Sequence, residues 1–256
     1  MHRYFALLAY KGTAYHGWQI QPNASTVQEE LNKSLTILLR EPIETTGCGR
    51  TDTGVHATRF YAHFDTGTFI TDREQLLFQV NAILPDDIRV YDIFSVKNDQ
   101  HARFDAIKRS YSYYILRESN PFYKEFTWFN TRELDINLMN EAAARCLRHE
   151  DYACFSKTGG QNTTTICQIN RCEWLFYDQF LRLDVSANRF LRGMVRAMTG
   201  TFIDIGLGRM SLAQFDDLLH SGDRNLAGQS APAQGLFLEE IVYPYLSTNR
   251  EYFFKA

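Results

Sequence analysis

The sequence predicts an α+β fold of two split-βαβ (ferredoxin-like, RRM-like) halves in tandem. Short runs of β-branched and aromatic residues with period-two alternation recur along the chain, each bounded by Gly, Pro, Asn or Asp. Helix-period stretches fall between them in the order β-α-β-β-α-β, and that order returns after residue 104. The 256 residues, 45% hydrophobic and 22% charged, can bury a sizeable core in one large or two small domains. The expected division is an N-terminal α+β domain, 1–104, and a C-terminal α+β domain, 105–256.

In the first half Phe5 to Tyr10 reads as a strand, and Gly12 to Gln21 as a loop carrying Tyr15, His16, Trp18 and Gln19. Thr26 and Glu29 fit a capping box, with Val27, Leu31, Leu35, Leu38 and Leu39 as the apolar stripe of the helix they open. Ile43 to Thr46 reads as a strand end and Phe60 to Phe64 as the next strand. Glu74 to Leu84 reads as a helix stopped by Leu84-Pro85-Asp86-Asp87, and Ile88 to Val96 as the closing strand. The result is a four-stranded antiparallel sheet with one face under two helices.

In the second half Ser110 to Leu116 alternates aromatic with small or polar residues, and Asp135 to Leu147 has helical spacing. Thr158-Gly159-Gly160-Gln161-Asn162 signals a loop. Ile166 to Tyr177 and Phe180 to Ser186 form a hairpin around Asp178-Gln179. Phe190 to Ile205 and Leu212 to Leu219 read as helices and Leu236 to Val242 as the last strand.

Three constellations carry chemistry. Gly47-Cys48-Gly49-Arg50-Thr51-Asp52-Thr53-Gly54-Val55-His56-Ala57 packs three glycines around one carboxylate, between two strands. Glycine-rich turns present polar side chains at a sheet rim, and Arg50, two residues away, favours the ionised form of Asp52. An ionised carboxylate serves as nucleophile or charge stabiliser; an Asp capping backbone N–H groups of a structural turn fits the same residues. In Arg109-Ser110-Tyr111-Ser112-Tyr113, alternation puts Arg109, Tyr111 and Tyr113 on one strand face. Such a face stacks unpaired bases, or else packs into a core with its hydroxyls satisfied. In Asn188-Arg189-Phe190-Leu191-Arg192-Gly193-Met194-Val195-Arg196, helical spacing places Arg189, Arg192 and Arg196 on one face. No acid lies between Asp184 and Asp204, which suits phosphate recognition as well as a solvated stripe.

The net charge of −3 argues against a uniformly basic nucleic-acid binder and leaves room for a local basic surface. Five cysteines without a C-x-x-C pair suggest reduced thiols in a cytoplasmic protein. The histidines lack metal spacing, so no metal is expected. Gly47-x-Gly49 lacks the third glycine and the following helix of a dinucleotide site. The N-terminal run reads as a strand instead of a leader, and no stretch reaches the ~20 apolar residues of a membrane span.

Gly49-Arg50-Thr51-Asp52-Thr53-Gly54-Val55-His56-Ala57 closely resembles the signature G-R-T-D-A-G-V-H-A of the TruA family of tRNA pseudouridine synthases. The likeness spans nearly the whole chain. Gly12-Thr13-Ala14-Tyr15-His16-Gly17-Trp18-Gln19-Ile20-Gln21, Asn81-Ala82-Ile83-Leu84-Pro85, His101-Ala102-Arg103-Phe104, Phe190-Leu191-Arg192-Gly193-Met194-Val195-Arg196 and Ala231-Pro232-Ala233-Gln234-Gly235-Leu236 follow in the family's order. The resemblance implies a pseudouridine synthase fold with a central mixed, mostly antiparallel sheet and a cleft between the halves. It implies isomerisation of uridine to pseudouridine at positions 38 to 40 of the tRNA anticodon stem-loop by a cytoplasmic homodimer without cofactor or metal. Asp52 matches the family's nucleophilic Asp, Tyr111 the Tyr that stacks on the target base, and Arg50 a basic residue of the motif. Arg196 matches the Arg expected to pair with the Asp; Arg109, Arg189 and Arg192 are expected to contact substrate. Thr53 stands where Ala is usual, Lys11 where many members have Asp, and Thr164 where many have Arg. The competing classes are a non-catalytic RNA-binding module, which has no use for the Arg-Thr-Asp constellation, and a hydrolase that releases the base.

Overall fold

The alternating N-terminal residues form strand β1 (His2–Tyr10), the central strand of an antiparallel ladder in this computed structural model. The structure describes residues 1–157, 163–247 and 254. Two compact units make up the chain, one comprising Met1–Ile107 with the segment from Leu238, the other Lys108–Phe237 with Phe254.

In the first unit β1 pairs with β3 (His56–Thr66), in a register that sets Tyr4 opposite Phe64, and with β4 (Ile88–Val96), Phe5 opposite Phe94. A two-residue strand β2 (Thr46–Gly47) pairs with β3 on its other side. The order β4-β1-β3-β2 is that of a split-βαβ unit. Helix α1 (Val27–Leu39) begins where Thr26 Oγ1 accepts the Glu29 N–H and buries Val27, Leu31 and Leu35. The expected strand from Ile43 to Thr46 shrinks to β2 because α1 takes its donors. Ile43 N–H donates to Thr36 Oγ1 at 3.0 Å and Thr45 N–H to Asn32 Oδ1 at 2.9 Å. Helix α2 (Arg73–Ile83), capped by Asp72, buries Leu76 and Val80. The Asn81 amide docks α2 on β4 as a strand neighbour would, donating to Val90 C=O at 2.8 Å and accepting from Val90 N–H at 2.9 Å. Strand β9 (Leu236–Val242) lies beside β3 from Leu238 onward, where Thr58 Oγ1 donates to the Leu238 carbonyl at 3.5 Å.

In the second unit β5 (Lys108–Leu116) pairs antiparallel with β8 (Phe180–Ala187), which pairs with β7 (Ile169–Tyr177). A short β6 (Trp128–Phe129), which the sequence did not signal, runs parallel to β5 at Ile115 and Leu116. The β7–β8 turn uses Asp178 at φ 51, a left-handed conformation that Asp tolerates. Helix α3 (Ile136–Cys146) is capped by Asp135, and α5 (Leu212–Ser221) opens on a capping box of Ser211 and Gln214. Tyr113, Leu183 and Trp174 share one sheet face, where Trp174 meets Phe202 of α4 (Met194–Gly206) edge-on at 6.2 Å. The other face carries a buried polar row, with Asp184 Oδ1 accepting from Ser112 Oγ at 2.7 Å and Oδ2 from Arg171 at 2.9 Å. Arg182, 6% exposed, completes the row on Asp184 and lies over the Tyr177 ring at 4.6 Å.

The helix expected from Phe190 starts at Met194 instead. Gly193 is its N-cap at φ 72, a left-handed conformation that interrupts a right-handed helix. Arg189 and Arg192 therefore precede α4, and the expected shared helix face of Arg189, Arg192 and Arg196 does not form. The loop expected at 158–162 lies outside the described residues.

Candidate active site

The glycine-rich segment becomes the turn between β2 and β3, tied down along its length. Cys48 N–H donates to the Tyr61 carbonyl at 2.8 Å, Trp18 N–H to the Thr51 carbonyl at 3.3 Å, and Gly54 N–H to the Tyr15 carbonyl at 3.3 Å. The hydroxyls of Tyr10 and Thr51 bond at 2.8 Å in the interior. Beneath them Trp18 stacks on Phe60 with centroids 4.2 Å apart. Gly12 N–H donates to His56 Nδ1 at 3.0 Å; accepting there places the proton of a neutral imidazole on Nε2 and makes His56 a clamp for the turn. Gly12 also has no room for a side chain, since a Cβ would lie 2.0 Å from the Val55 carbonyl oxygen.

At the tip Val55 N–H closes the turn on the Asp52 carbonyl at 3.1 Å, with Gly54 at φ 78, the positive φ such a turn needs at its third position. The side chains are thereby sorted. Thr51, Val55 and His56 are buried, Asp52 is half-buried, and Arg50 and Thr53 are exposed. A carboxylate at the surface of a rigid backbone keeps one oxygen pair accessible without the rotational freedom of a loop. Tyr15, whose carbonyl holds Gly54, is itself anchored by its hydroxyl on Asp87 Oδ1 at 2.5 Å. Burial and then the Asp87 bond push that phenol well above the usual tyrosine range.

The second unit has aromatic and basic residues of its own. Arg109 and Tyr111 on β5 are half-buried. The Arg109 guanidinium donates to the Asn188 carbonyl at 2.8 Å, and Tyr111 meets Phe190 edge-on at 5.2 Å. Of the two readings open for the tyrosines, Tyr113 takes the core one. Tyr113 is wholly buried with its hydroxyl on the Pro232 carbonyl at 2.8 Å, and burial raises its pKa well above the ordinary value against the opposing charge of Arg196. Arg196 is half-buried on α4. Its Nε donates to the Ala231 carbonyl at 2.8 Å while Ala231 N–H donates to the Arg196 carbonyl at 2.9 Å. Gly200 lets Gln229 approach α4, where a Cβ would fall 1.7 Å from its carbonyl oxygen. Arg192 is exposed and its carbonyl accepts from Lys157 N–H at 3.1 Å; Arg189 is half-buried. Thr164, in place of an arginine, caps its own turn by accepting from Ile166 N–H at 3.1 Å.

All five cysteines are buried thiols. Burial pushes Cys154 up to about 12 and Cys167 up to about 11; a hydrogen bond donated to Cys172, and burial, raise Cys146. Thiols held protonated are poor nucleophiles. The braces at Tyr10, Gly12, Tyr15 and Trp18, and the Ala231 and Pro232 anchors, were not assigned from sequence. Apart from Tyr10, which ends β1, their only advance signal was that they fall in the motifs Gly12 to Gln21 and Ala231 to Leu236.

The family model described as tRNA pseudouridine synthase matches residues 142–244. The chain is 44% identical to tRNA pseudouridine synthase A of Bacteroides fragilis over 243 residues, covering 94% of this chain and 96% of that protein. It is 42% identical to tRNA pseudouridine synthase A of Porphyromonas gingivalis, covering 95% and 98%. With the protein of that name from Thermoanaerobacter pseudethanolicus the figures are 38% identity, 95% and 100%. End-to-end identity at this level, on a chain carrying the glycine turn with Asp52 at its tip, shows that it belongs to the tRNA pseudouridine synthase A family.

Proposed function

We propose that this protein isomerises uridine to pseudouridine at positions 38 to 40 of the tRNA anticodon stem-loop, as a homodimer, with Asp52 as nucleophile. The observation that carries the reading is the half-buried Asp52 side chain on a turn held by hydrogen bonds at Cys48, Thr51, Gly54 and His56. The target uridine leaves its stack, at a cost of a few kcal/mol, because C1′, N1 and C5 are inaccessible inside a helix. Tyr111 stacks on the everted base, and Arg50, Arg109, Arg189 and Arg192 take the flanking phosphates. An Asp52 oxygen attacks C1′ as the C1′–N1 bond breaks and its electron pair leaves with the uracil. The base turns, C5 attacks C1′, and the ester bond returns its electrons to the carboxylate. The C5 proton is then lost and N1 gains one, so the mass is unchanged. Arg196 is assigned as the counter-cation of the carboxylate. Holding both fragments makes the rejoining effectively unimolecular.

Asp52→Asn keeps the size and removes the charge. On an unmodified tRNA transcript it is expected to bind as the parent does and to produce no carbodiimide-reactive pseudouridine. Retained turnover would remove Asp52 from the chemistry; free uracil in the parent reaction would mark a hydrolase.

A further inference from the structure

His101-Ala102-Arg103-Phe104, in the first unit, takes no part in the reaction above. The segment is unusually well fixed for one carrying a Phe that is 75% exposed. His101 Nδ1 accepts from the N–H groups of both Arg103 and Phe104, at 3.0 and 3.2 Å. Ala102 N–H donates to His63 Nδ1 at 3.2 Å and its carbonyl accepts from Tyr243 Oη at 2.6 Å. Asp105 accepts from His101 N–H at 2.7 Å and from the Tyr245 hydroxyl at 2.9 Å. With this backbone satisfied, the exposure of Phe104 is a held position and not the fraying of a loop end.

The rings are in contact, His63 edge-on to His101 and His101 tilted against Phe104. His63 and His101 centroids are 4.5 Å apart, His101 and Phe104 4.3 Å apart, and the Arg103 guanidinium carbon lies 5.7 Å from the Phe104 centroid. Burial and the nearby Arg3 charge depress both imidazoles, so the ring pair beside Phe104 is neutral and aromatic. Of the acids nearby, Asp65 is engaged by Arg3 and Asp105 by the donors above. An exposed aromatic plane on a rigid base with a guanidinium group beside it has the chemistry of an unpaired nucleobase site: stacking for the base, a cation for its phosphate.

We propose that Phe104, backed by His101 and flanked by Arg103, is a second base-stacking platform that holds an unpaired base of the tRNA outside the reaction centre. This rests on tRNA being the substrate, as argued above. The test measures binding of unmodified tRNA transcript and single-turnover isomerisation for the parent, Phe104→Leu and Phe104→Trp, with sedimentation and circular dichroism on each. Phe104→Leu keeps an apolar side chain and loses the plane. It is expected to weaken tRNA binding about ten- to a hundredfold, with the loss in Kd and KM and not in the chemical step, and Phe104→Trp is expected to restore it. Unchanged Kd in Phe104→Leu, with an active parent, would overturn the platform alone. A shift in sedimentation with tRNA affinity intact would overturn it in favour of a contact between copies of the chain. A parent that neither binds nor isomerises tRNA would overturn the substrate reading and the platform with it.

Discussion

Gly12→Ala tests whether the reaction depends on the exact seat of the Asp52 turn. The added Cβ would stand 2.0 Å from the Val55 carbonyl oxygen and 2.6 Å from its carbon, against an ordinary contact of at least 3.4 Å. The obstructing atoms are backbone and cannot rotate away, so about 1.4 Å of separation must come from movement of the two segments. Val55 closes the turn on the Asp52 carbonyl, and Gly12 N–H holds His56, so the displacement is transmitted to both ends of the turn. A misplacement of about 1 Å can cost roughly a hundredfold in rate. Single-turnover assays on unmodified tRNA should show kcat down by about that factor, with tRNA affinity within a few-fold of the parent. Circular dichroism and thermal melting confirm that the variant is folded. A folded Gly12→Ala enzyme with kcat within twofold of the parent would refute the idea that the turn's position is set from the segment that follows β1.

Salt should weaken binding steeply. If Arg50, Arg109, Arg189 and Arg192 each neutralise one phosphate, raising salt from 50 to 200 mM lowers tRNA affinity about a hundredfold, and a flat titration would rule out that footprint. Asp184→Ala removes the buried carboxylate that Arg171, Arg182 and Ser112 share. Removing that carboxylate from beside the buried Arg182, while Arg171 keeps Glu173, should cost about 3–5 kcal/mol and lower the melting midpoint by about 10 °C; a drop under about 3 °C by calorimetry would contradict the network. Acid should destabilise the fold through His63, lowered from 6.5 to about 4 by burial and Arg3. The unfolded chain takes up that proton first, so this contribution is intact above pH 6.5 and is lost progressively toward pH 4. A His63→Gln variant should show a shallower fall in melting midpoint over that range, and identical curves would discard the assignment.

The sequence spoke clearly where local chemistry decides structure. Ile88 to Val96 and Leu236 to Val242 are strands with the bounds their alternation indicates. Thr26 caps α1 because a hydroxyl at that position satisfies an orphan N–H. The Asp52 turn was visible because glycines and one carboxylate rarely crowd into so short a stretch without a reason. What failed was the start of α4: spacing counted Arg189, Arg192 and Arg196 onto one face, while Gly193, at positive φ, is the N-cap and the helix begins only after Arg192. The braces were invisible for another reason. Tyr15 reaches Asp87 across 72 residues, Gly12 reaches His56 across 44 and Tyr10 reaches Thr51 across 41. No periodicity encodes a partner at such separations.

The burial of all five thiols makes the native protein a quiet background for cysteine chemistry. A maleimide dye at neutral pH should leave the folded chain almost unlabelled, so one cysteine introduced on the surface would carry the fluorophore by itself. Cys48, two residues before Arg50 and wholly buried, then offers a native reporter. Its alkylation, mapped by peptide mass, would time the opening of the Asp52 turn separately from unfolding in the second unit, where the other four sulfurs lie.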